Sequence, residues 1–155
     1  MPNYERMAKQ IEGLAEIDRG FLPLLSNAAA VLNEGMDRLN WVGFYLMDQG
    51  SLVVGPFQGK VACVRIAVGK GVCGSAVEQG RVLRVEDVHA FPGHIACDSA
   101  SRSEIVLPIR SGGKIVGVLD IDSPEPGRFS EADQAGLEAV VQALENAADF
   151  SRLRL

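Results

Sequence analysis

Three cysteines and three acidic residues carry most of the reactive chemistry of this 155-residue chain: Cys63, Cys73 and Cys97, with Glu104, Asp120 and Asp122. An odd number of cysteines without an export signal fits a reducing compartment, where thiols serve redox, catalytic or metal-binding ends rather than permanent cross-linking. Cys97 stands in HIACDSAS (His94 to Ser101), whose small and polar neighbours let a thiol face a pocket and whose backbone N–H groups can polarise an oxygen there. Most free cysteines are small buried hydrophobes, a fate that a cysteine between Ala96 and Asp98 in an aperiodic loop suits poorly. Cys63 follows QGKVA at the start of a strand-like run, where ordinary inward packing competes with any redox role. Cys73, in GKGVCG, either fills space under the helix that follows or partners another thiol.

Asp120 and Asp122 alternate along LDID, so on a strand their carboxylates project from one face about 7 Å apart. Strands disfavour Asp, and a buried pair needs cationic or hydrogen-bonding partners, whereas a pair lining a pocket can meet an ammonium group. Glu104 opens the neighbouring strand and reaches the same place if the two strands pair as a hairpin. Three carboxylates packed together raise at least one pKa and so keep a proton at hand. The plainer alternative, a solvated strand end running into Ser123-Pro124, suits Asp122 better than all three. Trp41 and Tyr45, four apart, share a strand face and either wall such a pocket or pack in a core. His89 and His94 near the cysteines invite a zinc site, but there is no C-x-x-C pair and no helical H-x-x-x-H, so no metal is expected. The glycines of GKGVCG match neither the P-loop nor the dinucleotide order, which leaves nucleotide binding with little support.

These residues need a scaffold, and hydrophobic periodicity supplies one. Apolar residues recur at helical spacing from Tyr4 to Leu39, interrupted near Gly20 and Pro23, which predicts two helices or one broken helix. Asn40 to Met47 and Ser51 to Gly55 flank a turn and predict a β-hairpin, with Cys63 to Val68 as a third strand. Gly69 to Gly74 reads as a turn into a short helix, Ser75 to Gln79, and Arg81 to Val85 as a short strand. Glu86 to Ser103 reads as a long functional loop. Glu104 to Ile109 and Lys114 to Ile121 then form a hairpin about Ser111-Gly112-Gly113, and a closing helix follows the capping sequence Ser130-Glu131-Ala132-Asp133. The expected fold class is α/β (α+β): one domain, 1–155, with a mostly antiparallel central sheet, helices packed on one face and a long active-site loop.

Hydrophobic residues make up 47% of the chain, enough for one core at this length. A net charge of -5 argues against nucleic acid as a partner. The charge-broken N-terminal segment is neither a signal peptide nor a membrane span, so a cytoplasmic protein with no membrane partner is expected. Apolar surface on the N-terminal segment and on the helix from Glu131 to Leu144 predicts a homodimer.

The runs GPFQGKVACVRI (Gly55 to Ile66), GKGVCGSAV (Gly69 to Val77), EDVHAFPGHIACDSASRSEIVLPI (Glu86 to Ile109) and GVLDIDSPEPGRFSEAD (Gly117 to Asp133) resemble the free methionine-(R)-sulfoxide reductase family. The resemblance runs from about Trp41 to Asp133 without an obvious gap and takes in all three cysteines, while the flanking helices match only in type. It implies a GAF fold, a substrate enclosed between the sheet and its covering loops, no bound cofactor, and recycling by thioredoxin with NADPH as the indirect electron source. It also implies Cys97 as the catalytic cysteine, Cys63 as the resolving one, and Glu104, Asp120, Asp122, Trp41 and Tyr45 as substrate-binding residues. Cys73 is left as an auxiliary thiol. The competing expectation is a ligand-sensing or redox-sensing GAF module without turnover, because fold alone never fixes activity.

Overall fold

The computed structural model describes residues 1–94 and 97–155; Ile95 and Ala96, within the expected loop beside Cys97, lie outside the described residues. The N-terminal periodicity resolves into two helices, α1 (Tyr4–Ile17) and α2 (Phe21–Gly35). Asn3 caps α1 by accepting from the Arg6 N–H at 3.0 Å, and Asp18 accepts from the Gly20 N–H at 2.7 Å to fix the corner between the helices. Pro23 is tolerated in the first turn of α2, where no intrahelical donor is needed.

Six strands follow: β1 (Trp41–Asp48), β2 (Ser51–Gly59), β3 (Arg65–Ala67), β4 (Leu83–Val85), β5 (Ser103–Ser111) and β6 (Lys114–Ser123). They form one antiparallel sheet in the order β3-β2-β1-β6-β5-β4. The β1–β2 and β5–β6 turns each hold two residues at positive φ, Gln49 with Gly50 and Gly112 with Gly113, which matches the right-handed twist of the strands they join. Helix α3 (Gly71–Gln79) lies between β3 and β4, and α4 (Glu131–Ala147) closes the chain with the expected capping box between Ser130 and Asp133.

Three differences from the sequence expectation bear on the cysteines and the acids. The run Cys63 to Val68 pairs with β2 only over Arg65–Ala67, so Cys63 lies in the irregular connection before the strand. The glycine-rich turn is already helical from Gly71; a Cβ at Gly74 would run into the Ala67 carbonyl oxygen, so that glycine serves close packing of α3 on the end of β3. Strands β5 and β6 each extend far enough that Glu104 and Asp122 are paired strand residues rather than a solvated end.

Helices α2 and α4 cover one face of the sheet with α1 packed against both of them, and α3 packs on the other face. The first face holds the main core, where Leu25, Leu32, Phe44, Leu107, Leu137 and Leu144 are fully shielded, each contributing roughly 1.5–3 kcal/mol by burial. Helices α1 and α4 meet at a buried polar knot: the Tyr4 hydroxyl donates to Asp133 at 2.6 Å, and Arg128 donates to the other Asp133 oxygen at 3.1 Å. Gly136 makes room for the Tyr4 ring. The apolar stripes of α1 and α4 are thus largely spent on each other, leaving Ile17 and Leu22 exposed at the α1–α2 corner. Among the described residues no helix is long and apolar enough to cross a membrane.

Candidate active site

Strand alternation builds the acid cluster. Glu104 on β5 and Trp41 on β1 both pair with Asp122 on the central strand β6, while Asp120, two residues earlier on the same face, pairs with Val106 and Gly43. Glu104 and Asp120 are 7% and 5% exposed, and they line one cavity with Asp122, Cys73 and Cys97. These groups are spread over 49 residues of sequence, from Cys73 to Asp122, and the fold brings them to one cavity.

Burial pushes the Glu104 carboxyl well above the usual carboxylate range, and the nearby charges of Asp120 and Asp122 push it further. Asp122 is raised by burial and then by Asp120, against opposing contacts from Glu104 and Ser101. Burial also raises Asp120, but side-chain contacts with Glu104 and Cys73 pull it back, which makes it the cluster's best-supported anion. Oδ1 of Asp120 and Oδ1 of Asp122 are buried without a hydrogen-bond partner, and none of the three acids has an ion-pair partner among the described residues. Two unpartnered carboxylate oxygens on a cavity floor are costly unless a donor or cation enters.

Cys63 and Cys97 are joined in a disulfide with a Cα–Cα distance of 5.5 Å. Cys97 lies on the cavity wall, in a loop tied down by neighbours that the sequence did not reveal. The Asn40 amide donates to Asp98 at 3.0 Å and to Ser101 at 2.9 Å, and the Ala100 N–H donates to Asp98 at 2.9 Å. The Ala100 N–H and the Asn40 amide hold the Asp98 carboxyl below its usual range, so it stays ionised beside Cys97. Cys73 is buried and reduced, and its thiol donates to Glu104 at 4.0 Å. Burial, followed by the charges of Asp120 and Glu104, pushes that thiol well up.

Trp41 and Tyr45 do line the cavity, with ring centroids 5.7 Å apart, and Phe57 stacks on Trp41 at 5.0 Å. A Cβ on Gly43 would meet the Phe57 Cα at 2.7 Å, so glycine lets that stack form. Their polar tips do something further: Trp41 Nε1 donates to the Lys60 carbonyl and the Tyr45 hydroxyl to the Cys63 carbonyl, each at 3.2 Å. Both aromatics therefore anchor the connection that carries Cys63. His94 and Lys70 join the cavity lining, while His89 pairs edge-on with His94 at 6.4 Å; burial and His89 lower the His94 pKa, favouring its neutral form. Among the described residues, the donor set that comes together for a cation is Cys73, Glu104 and Asp120, without either histidine.

Residues 21–149 match the GAF domain family. The chain is 52% identical over 142 residues to the free methionine-R-sulfoxide reductase of Escherichia coli, covering 92% of this chain and 86% of the relative. The fRMsr of Staphylococcus aureus in complex with substrate superposes with a TM-score of 0.91 at 50% identity, covering 96% of this chain and 97% of that one. The Neisseria meningitidis free methionine-R-sulfoxide reductase in complex with its substrate gives a TM-score of 0.89 at 45% identity, covering 93% and 87%.

Proposed function

The chain belongs to the GAF-domain free methionine-R-sulfoxide reductase family and is an enzyme of that activity, and we propose that Cys97 is the thiol that takes the oxygen. The observation that carries this assignment is the Cys63–Cys97 disulfide at the wall of a cavity floored by three buried acids. In the reduced enzyme the Cys97 thiolate attacks the sulfoxide sulfur, forming a sulfur–sulfur bond, while a proton retained within the Glu104–Asp122 pair passes to the oxygen. The protonated oxygen then shifts to the Cys97 sulfur as the substrate S–O bond and the new sulfur–sulfur bond both break; the electron pair stays on the methionine sulfur, methionine leaves, and Cys97 is left as a sulfenic acid. The Cys63 thiol then displaces the sulfenic oxygen as water and forms the disulfide.

Substrate recognition on this reading is electrostatic at one end and apolar at the other. Asp120 and Asp122 offer their unpartnered oxygens to the amino acid's ammonium, and Trp41 with Tyr45 holds the S-methyl group. Recycling falls to a cytoplasmic dithiol protein, thioredoxin, which returns two electrons to the disulfide with NADPH as the ultimate source. Val61 and Val64, 87% and 69% exposed on either side of Cys63, give such a protein an apolar landing next to the sulfur it must reach.

The test is a coupled assay with thioredoxin, its reductase and NADPH, offering free methionine-(R)-sulfoxide, the S epimer and a peptide containing the sulfoxide. Good turnover is expected for the free R epimer alone. Comparable turnover of the peptide, which has no free ammonium at that residue, would remove the acid cluster from substrate recognition.

A further inference from the structure

We propose that Cys73, Glu104 and Asp120 form a binding site for a thiophilic divalent cation of the Zn²⁺ type. One donor atom from each residue lies within 4.8 Å of the other two, and Cys73 Sγ stands 4.0 Å from Glu104 Oε2. A tetrahedral zinc centre, with Zn–S near 2.3 Å and Zn–O near 2.0 Å, puts its sulfur and oxygen ligands about 3.5 Å apart, so the donors need to close by roughly 1 Å. They come from three elements, α3, β5 and β6, that pack directly on one another, which fixes the cluster without help from a loop.

Proximity of acids and a thiol would not by itself make a site. The further observation is Asp120 Oδ1: the residue lines the cavity and is only 5% exposed, and this buried oxygen has no hydrogen-bond partner among the described residues. The chemistry of the set then selects the ion. A thiolate with two carboxylates suits zinc, cobalt or cadmium, whereas magnesium and calcium favour all-oxygen shells of six or more ligands. Three protein ligands leave a fourth position open towards the cavity. The set has no short sequence motif, since Cys73 and Glu104 are 31 residues apart, which is why ligand spacing does not reveal it. A cation held there occupies the floor on which the substrate's ammonium is placed above, so it acts as a reversible inhibitor; this competitive arm rests on the proposed substrate placement, the binding itself does not.

The oxidised protein isolates the site, because the disulfide occupies Cys63 and Cys97 and leaves Cys73 as the one thiol. Chelator-stripped oxidised protein is titrated with Co²⁺ and then Zn²⁺, reading absorbance, calorimetry and, for each variant, the thermal melt. One equivalent of Co²⁺ with a thiolate-to-metal charge-transfer band is expected, displaced by Zn²⁺ and abolished in Cys73→Ala. Asp120→Asn, which keeps the thiol and the side-chain shape, should weaken binding tenfold or more. A cobalt spectrum without the thiolate band, or unchanged affinity in either folded variant, would overturn the site. Free methionine should compete with the metal; if it does not while the thiolate band stands, the substrate placement falls and the cation site remains.

Discussion

The Tyr45 hydroxyl donates to the Cys63 carbonyl at 3.2 Å, so a ring that lines the cavity also fixes the backbone of one half of the disulfide. Tyr45→Phe keeps the ring and removes that tether, worth about 1 kcal/mol. Methionine yield in a single turnover should be unchanged, while closure of the sulfenic acid by Cys63 slows about fivefold. Dimedone trapping of Cys97 against time measures the second step; an equal loss in methionine formation would instead place the hydroxyl on the substrate.

The two disulfide cysteines should fail differently when replaced. Cys97→Ser, with a hydroxyl in place of a thiolate, should form no methionine even in one turnover. Cys63→Ser should form about one methionine per site, accumulate a trappable sulfenic acid and lose most cycling with thioredoxin. Quenched single-turnover assays with mass spectrometry separate the two, and the reverse pattern would exchange their roles. Residual cycling in Cys63→Ser that vanishes on adding Cys73→Ser would give Cys73 a share of resolution.

Glu104→Gln or Asp122→Asn should lower kcat/KM by about two orders of magnitude, the usual scale for lost acid catalysis. Each should also stabilise the fold, by an amount that depends on pH. Burial raises both carboxyls above their unfolded values of about 4, so the folded state binds their protons more tightly. The resulting stability is fully present below pH ~4 and is lost as pH rises through the raised folded values. The amides do not titrate, so the gain in Tm of each variant over the unaltered protein should grow from acid to neutral pH. A constant or shrinking difference in thermal melts across that range would contradict the buried-acid account.

Val64→Glu places a charge in the exposed apolar patch beside Cys63 without touching the cavity. The KM for thioredoxin should rise several-fold while single-turnover methionine formation and the KM for sulfoxide stay put. Steady-state titration of each substrate in turn reads both, and an unchanged KM for thioredoxin would move the landing surface elsewhere.

Much of the scaffold was legible because long amphipathic helices and tight hairpins write themselves locally: the capping box at Ser130 and the Gly112-Gly113 turn fall where the sequence puts them. The convergence of Glu104, Asp120 and Asp122 could also be read, since alternation and hairpin pairing determine it. What escaped depends on contacts between distant segments. Nothing near Asn40 announces that its amide will hold the Cys97 loop, and nothing in GKGVCG distinguishes a turn from a helix whose glycine accommodates the carbonyl of Ala67. Cys63 looked like a strand residue because its neighbours alternate, yet pairing with β2 ends at Arg65 although β2 runs on to Gly59, and the Cys63 carbonyl accepts from the Tyr45 hydroxyl instead.

Adjacent residues on β5 and β6 point to opposite sides: Glu104 and Asp120 to the cavity, Ile105 and Ile121 to the helical core. Destabilising chemistry and stabilising bulk are thereby partitioned by a single layer of backbone. A lineage built on this plan can therefore drift at the acid face, exchanging one amine-bearing sulfoxide for another, while the helix side keeps the molecule folded. Stabilising changes on α4 or at the α1–α2 corner enlarge that margin without approaching the thiols, which makes the scaffold a favourable parent for directed evolution towards other small sulfoxides.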